Sequence, residues 1–342
     1  MMNDIGYFPP RTYPGGRGLS RRAWLTAAAA LLLPTQVRAA PPELRLGVLQ
    51  FGSVQWVADV IHRHGLDASN GFTLATATLA NNDASRVALM AGAADVVVSD
   101  WFFVASQRAA GTRLSFVPFS SASGGIMVPE ASPIRSLADL ANRRLGVAGG
   151  PLDKSWLIVQ AAARATDGVD LATAAKLTYG APPLLDAMLQ RNDMDAVLTF
   201  WNFAARLDAA GFRQAISVGD CARTLGLSDR ISLIGYTFHE DWAKQNPAAI
   251  KGFLAASAAA LAIMTNDDQE WDKLRPLMGA PDDALFRSLR RRFVDGIPQT
   301  AMETQQRDAA KLFDIVRHAG GARVTDGLDA LPEGVFWQPS NG

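Results

Sequence analysis

The chain has 342 residues, with 33 basic and 33 acidic side chains, one cysteine and a hydrophobic share of 49%. Residues 1–39 hold five arginines and one aspartate, which leaves 28 basic and 32 acidic side chains beyond them, a net charge of −4. That balance excludes charge-driven binding to nucleic acid or an anionic membrane, and the lone Cys221 excludes an intrachain disulfide and a cysteine-based zinc cluster.

The first predicted element is an export signal over residues 1–39. A polar start with Arg11, Arg17, Arg21 and Arg22 leads into an apolar run over 23–33 and a small-residue end, Val37-Arg38-Ala39; this is the layout of a cleavable secretory segment. The run is about half the roughly twenty residues a bilayer span requires. Ser20-Arg21-Arg22-Ala23-Trp24-Leu25 resembles a twin-arginine signal, the alternative being an ordinary secretory one. Ala40, where a lipoprotein would carry its lipidated cysteine, excludes that anchor. No other apolar stretch reads as long enough to cross a bilayer, so the chain is expected not to be membrane-embedded.

After the signal, strand-like and helix-like runs alternate: a strand over 44–49, a helix over 54–64, a strand over 72–79, a helix over 84–91, a strand over 94–99 and a helix over 101–110. Such alternation predicts α/β sheets with mostly parallel strands. About 300 mature residues exceed one ordinary core, so two lobes are expected. A repeat supports this. Leu89, Asp95, Val97, Trp101, Phe103, Ala105, Ala109, Ala110 and Gly111 recur one hundred residues later as Leu189, Asp195, Val197, Trp201, Phe203, Ala205, Ala209, Ala210 and Gly211. Upstream, Arg45-Leu46-Gly47-Val48 recurs as Arg144-Leu145-Gly146-Val147, and Trp56 is matched by Trp156.

In open parallel sheets ligands bind beyond the carboxyl ends of the strands, where loops and helix N-termini converge. The loops with Gln50, Phe51 and Ser53 and with Gly150, Asp153 and Lys154 are then expected to face one cleft, as are Ser99, Asp100 and Trp101 against Thr199, Trp201 and Asn202. Asn82, at another strand end, is a further candidate contact or part of a turn. Extended runs at 116–119 and 126–128 flank a small-residue segment containing Ser121, a candidate contact in that joint, and a second extended run covers 231–238. Two such crossings form a hinge. The expected division is a first lobe over 40–122, a second over 123–232, and completion of the first lobe with C-terminal helices over 233–342, including a long helix over 247–264.

The segment Ser132-Pro133-Ile134-Arg135-Ser136-Leu137-Ala138-Asp139-Leu140 with the following strand and glycine turn, the Asp195-Ala196-Val197 strand after a leucine-rich helix, and His239-Glu240-Asp241-Trp242 through Asn246-Pro247 carry a family resemblance. Together they resemble the solute-binding proteins of ABC importers, in the nitrate, sulfonate and taurine group that shares its fold with thiamine-precursor binding proteins. The resemblance implies a type II periplasmic-binding-protein-like fold, α/β with two lobes and two hinge crossings. It also implies a monomer that captures a small molecule in the periplasm and delivers it to a permease with an attached ATPase, both separate chains. A sensor of the same fold would need the same hinge. The part from Asp267 onward matches that group only in being helical.

Ser53 and Asp153 offer helix N-termini suited to a carboxylate or sulfonate, or simple caps. Trp101 and Trp201 offer faces for stacking or for a cation, or lobe packing, whereas Trp56 and Trp156 read as core. Asp100 opposes a simple inorganic anion, and Lys154 is the one cation in these loops, which favours an amine-bearing, zwitterionic (such as an aminosulfonate) or aromatic ligand; Asp100 also reads as a helix N-cap. No cofactor signature and no catalytic residue are identified. Cys221 lies away from the cleft loops, and His62 and His64 point to different helix faces, so neither supports an enzyme or a metal site.

Overall fold

The computed structural model describes residues 41–50, 52–320 and 325–338. The expected export signal and Phe51 lie outside the described residues. The first lobe opens with β1 (Glu43–Leu49), α1 (Val54–Arg63), α2 (Leu66–Ser69), β2 (Thr73–Leu79), α3 (Asn82–Met90), β3 (Val96–Asp100), α4 (Trp101–Ala109) and β4 (Leu114–Ser120). The second holds β5 (Gly125–Pro129), β6 (Arg144–Ala148), α5 (Lys154–Asp167), α6 (Leu171–Ala174), β7 (Lys176–Gly180), α7 (Pro182–Gln190), β8 (Ala196–Thr199), α8 (Trp201–Ala209), β9 (Phe212–Ser217) and α9 (Val218–Thr224). The chain returns through β10 (Ile234–His239) to α10 (Glu240–Gln245), α11 (Pro247–Asn266), α12 (Asp268–Met278), α13 (Asp283–Asp295) and α14 (Met302–Gly320).

The two sheets have the same plan, β2-β1-β3-β10-β4 and β7-β6-β8-β5-β9. Four of the five strands in each sheet run the same way, and one runs against them: β10 against β3 and β4, and β5 against β8 and β9. The sheets are therefore mixed, mostly parallel in direction with one reversed strand each. A strand that leaves the hinge starts at the cleft end of its sheet and must run opposite to neighbours that finish there. The register carries this signature: Gly125 at the start of β5 pairs with Thr199 at the end of β8, and Ile234 at the start of β10 pairs with Asp100 at the end of β3.

The repeated residues lock equivalent strands. Asp95 accepts the backbone N–H of Arg45 at 2.8 Å and its guanidinium at 2.6 Å, and Asp195 accepts the same two groups of Arg144 at 2.8 and 2.7 Å. The pairs tie β1 to the start of β3 in the first lobe and β6 to the start of β8 in the second. Bidentate contact to a guanidinium adds direction as well as strength.

The apolar α11 corrects one expectation. At 20 residues it is long and apolar enough to cross a membrane. Here it packs on α1 and α12, burying Ile250, Phe253, Ala256, Ala260 and Met264 in the first-lobe core with Trp56, Trp271 and Phe238. The later helices also reach the second lobe: α13 keeps Leu285, Leu289 and Phe293 in the first-lobe core while lying along α8, and α14 lies on α5. The tail then returns, with Val335 O accepting Phe116 N–H and Phe116 O accepting Trp337 N–H, both at 2.8 Å, on the open edge of β4.

Candidate functional site

Helices α1 and α4 of the first lobe and α5 and α8 of the second all begin at strand ends, so their unpaired N–H groups gather at the cleft. Asp100 caps α4 by accepting the Phe103 N–H at 3.0 Å on Oδ1. Its Oδ2 accepts from Arg86 Nη2 at 2.7 Å. Arg86 reaches there from the second turn of α3, its guanidinium 4.7 Å over the Phe103 ring and its Nε 3.5 Å from Ser99 Oγ. Across the cleft, Asp153 caps α5 by accepting the Trp156 N–H at 3.1 Å. Burial pushes the Asp153 carboxyl above the usual range; the cap hydrogen bond and Lys154 act against that, while the charge of Asp100 adds to it. The Lys154 ammonium sits 5.2 Å from the centroid of Phe102 in the opposite lobe.

Two acids and two cations, one of each from either lobe, therefore meet at the ends of β3 and β6. A cavity of about 160 Å³ opens beside them, lined by Arg86, Asp100, Phe102, Leu152 and Lys154, with Phe313 and the segment carrying Thr325, Asp326 and Leu328 as its outer wall. At roughly 30 Å³ for each water in the liquid, that space suits a small organic molecule. Arg86 is the residue that reading the loops misses, and with it Asp100 is compensated. The available signal is its place four residues beyond Asn82, where one turn of helix brings a long side chain back to the strand ends.

The expected pair of facing tryptophans is not formed. Trp101 is fully buried, its ring stacked on Phe102 of the same helix at 3.9 Å and 18°. Its Nε1 has no hydrogen-bond partner among the described residues. Trp201 is half-buried and meets Trp56 of the first lobe edge-on at 6.2 Å, with Phe293 at 6.4 Å. Trp201 joins the lobes by aromatic packing, whereas the aromatic contact of Trp101 stays within α4.

The other candidates are dispersed. Gln50 is exposed, and Ser53 begins α1 without a side-chain cap. Asn82 is exposed in the first turn of α3, where Asn81 does the capping. Gly150 sits at φ +93° in the turn before Asp153. Thr199 is buried with its Oγ1 unpartnered among the described residues, and Asn202 is half-buried. Ser121 belongs to the hinge: its N–H and Oγ–H both donate to Gly296 O, at 2.8 and 3.1 Å. Cys221 lies buried in α9, where burial, with a contribution from Asp220, pushes its thiol up to about 12.

Two α/β lobes of one plan, joined by two crossings and enclosing a charged cleft, give the bilobal fold seen in periplasmic binding proteins. The chain belongs to the NMT1/THI5-like family, whose model matches residues 63–271. Its fold is similar to that of the periplasmic aliphatic sulphonate binding protein SsuA from Escherichia coli, with 21% identity, 88% of this chain and 93% of that one covered, and a TM-score of 0.70. It is also similar to the alkanesulfonate-binding protein SsuA from Xanthomonas axonopodis pv. citri bound to MOPS, with 17% identity, 87% and 97% covered, and a TM-score of 0.60. The desulfurization enzyme DSZB shares the fold at 14% identity, with 86% and 97% covered and a TM-score of 0.54. No curated protein matches the sequence.

Proposed function

We propose that this chain is the substrate-binding component of an ABC importer, working in the periplasm and delivering a small zwitterionic organic ligand to a separate permease and ATPase. The observation that carries the reading is the meeting of Arg86 and Asp100 from one lobe with Asp153 and Lys154 from the other. Charges of both signs at one cleft suit a ligand that carries both, because each ligand charge finds a counter-charge and the closing lobes leave none unpaired. An aminosulfonate is the simplest example. MOPS, present in the Xanthomonas relative, also joins a sulfonate to a protonatable nitrogen.

An enzyme reading finds no support in Cys221, whose buried, protonated thiol is a poor nucleophile. Native mass spectrometry of protein purified from its own periplasm tests the proposal. The expected result is a bound molecule with both an amine and an acid group, recovered unchanged after incubation. A bound molecule that is converted to product would replace the importer reading with the enzyme one.

A further inference from the structure

Helix α13 and the residue that follows it touch both lobes and both hinge crossings. Its apolar face buries Leu285, Leu289 and Phe293 in the first-lobe core beside Trp56 and Trp271. Its polar face grips the second lobe. Asp208 of α8 accepts hydrogen bonds from Ser288 Oγ at 2.9 Å, Arg291 Nη2 at 2.9 Å, and Arg292 Nε and Nη2 at 2.9 and 3.1 Å. Arg292 Nη1 donates to Gln214 Oε1 of β9 at 2.9 Å. Asp208 and Arg292 are both largely shielded, with side chains 17% and 15% exposed, so this pair is screened far less than a surface one.

The end of the same helix holds both hinge crossings. Gly296 O accepts the N–H and the Oγ–H of Ser121 in the first crossing. Asp295 O accepts from Arg230 Nη1 in the second at 2.7 Å. Gly296 lies against Ala122 so closely that a Cβ there would collide with its backbone. A polar cavity of about 230 Å³ lies between the crossings, α9 and the end of α13, lined by Ser123, Asp220, Arg223, Asp295 and Gly296 among others. The crossings are also tied to α9, by Arg223 to Asp229 at 2.5 Å and by the Val218 N–H to Gly124 O at 3.3 Å.

We propose that α13 is a strut that sets the angle between the lobes, with the Asp208 and Arg292 pair as its releasable end and Ser121, Arg230 and Gly296 as its fixed end. Opening breaks the Asp208 contacts while the aromatic face of α13 stays seated in the first lobe. The strut therefore biases the ligand-free protein toward the closed form, independently of what the cleft binds. Interfaces of this kind have two discrete arrangements and can carry such a bias.

The test measures interlobe distance in the ligand-free protein by electron–electron double resonance. Spin labels are placed at cysteines introduced at the exposed positions Val87 and Asp193, in a Cys221→Ala background. Asp208→Asn is expected to lengthen or split the distance distribution, raising the open population on the order of fivefold, and Arg292→Lys to do so by less. Thermal melts establish that each variant is folded. A distribution unchanged in folded Asp208→Asn overturns the proposal. If Asp208→Asn does not fold, Arg292→Lys decides alone, and a parent-like distribution there overturns it equally. Ligand binding is not used, so failure here leaves the importer reading untouched.

Discussion

Arg86 Nη2 lies 2.7 Å from Asp100 Oδ2 while Asp100 Oδ1 accepts the Phe103 N–H, so one carboxylate joins a helix cap to the positive wall of the cleft. The arrangement fixes the guanidinium where a ligand anion would meet its remaining N–H groups. Arg86→Ala is expected to cost little stability, about 1 kcal/mol or less because the pair is partly exposed, but to weaken binding of the zwitterion 2-aminoethanesulfonate about tenfold or more. Calorimetric titration with that zwitterion checks this, and unchanged affinity would remove Arg86 from the site.

Asp186 of α7 is buried, with Oδ1 unpartnered among the described residues, and burial pushes its carboxyl up to about 7 against the pull of Arg206. The unfolded chain releases this proton near pH 3.9, so between that value and about 7 the folded state holds the extra proton and stability falls as pH rises. Asp186→Asn removes the cost of burying a charge. The variant is expected to be more stable than the parent at pH 8, by up to about 4 kcal/mol, and nearly equal to it at pH 4. Urea midpoints at the two pH values would show the gap, and a gap of the same size at both would contradict it.

Asp95 and Asp195 make equivalent bonds in the two lobes but are 7% and 31% exposed. Asp95→Ala strips an acceptor from a buried backbone N–H and from a guanidinium, at an expected cost of about 2–3 kcal/mol. Asp195→Ala is expected to cost about 1 kcal/mol, since water can replace more of what is lost. Chemical unfolding of both variants reads the order, and an equal or reversed order would show that burial does not set the difference.

Gly124, in the first crossing, packs directly on the Thr199 carbonyl, and a Cβ there would collide with it. Gly124→Ala must push β5 away from β8 at the hinge. Overpacking of this kind costs about 1–3 kcal/mol. A thermal melt matching the parent would show that the crossing has room to spare.

The fold was legible because its signals are local or periodic. The Arg45 and Arg144 strand motifs and Asp95 and Asp195 recur in order, and they turn out to bond to each other. Strand direction was harder: nothing in the composition of 126–128 or 231–238 says that these strands run against their neighbours, since direction follows from where the hinge delivers the chain. The site divides along similar lines. Of the proposed site, Asp100, Asp153 and Lys154 sit beside strand ends and are legible there, whereas Arg86 reaches the same place from a helical turn away and is not. Trp101 and Trp201 occupy the expected positions, but the position of a residue in a loop does not fix which way its ring turns. Here stacking on Phe102 within α4 decided it for Trp101, and packing across the lobes on Trp56 for Trp201.

The central claim is that a ligand with both charges is held by both lobes. Its most direct test is calorimetric titration of the protein and of Lys154→Ala with 2-aminoethanesulfonate, ethanesulfonate and ethylamine. The account predicts that the zwitterion binds about tenfold or more tightly than either half-molecule, about 1.4 kcal/mol, and that Lys154→Ala loses most of this advantage while remaining folded. Ethanesulfonate binding as tightly as the zwitterion, or a Lys154→Ala titration identical to that of the parent, would contradict it.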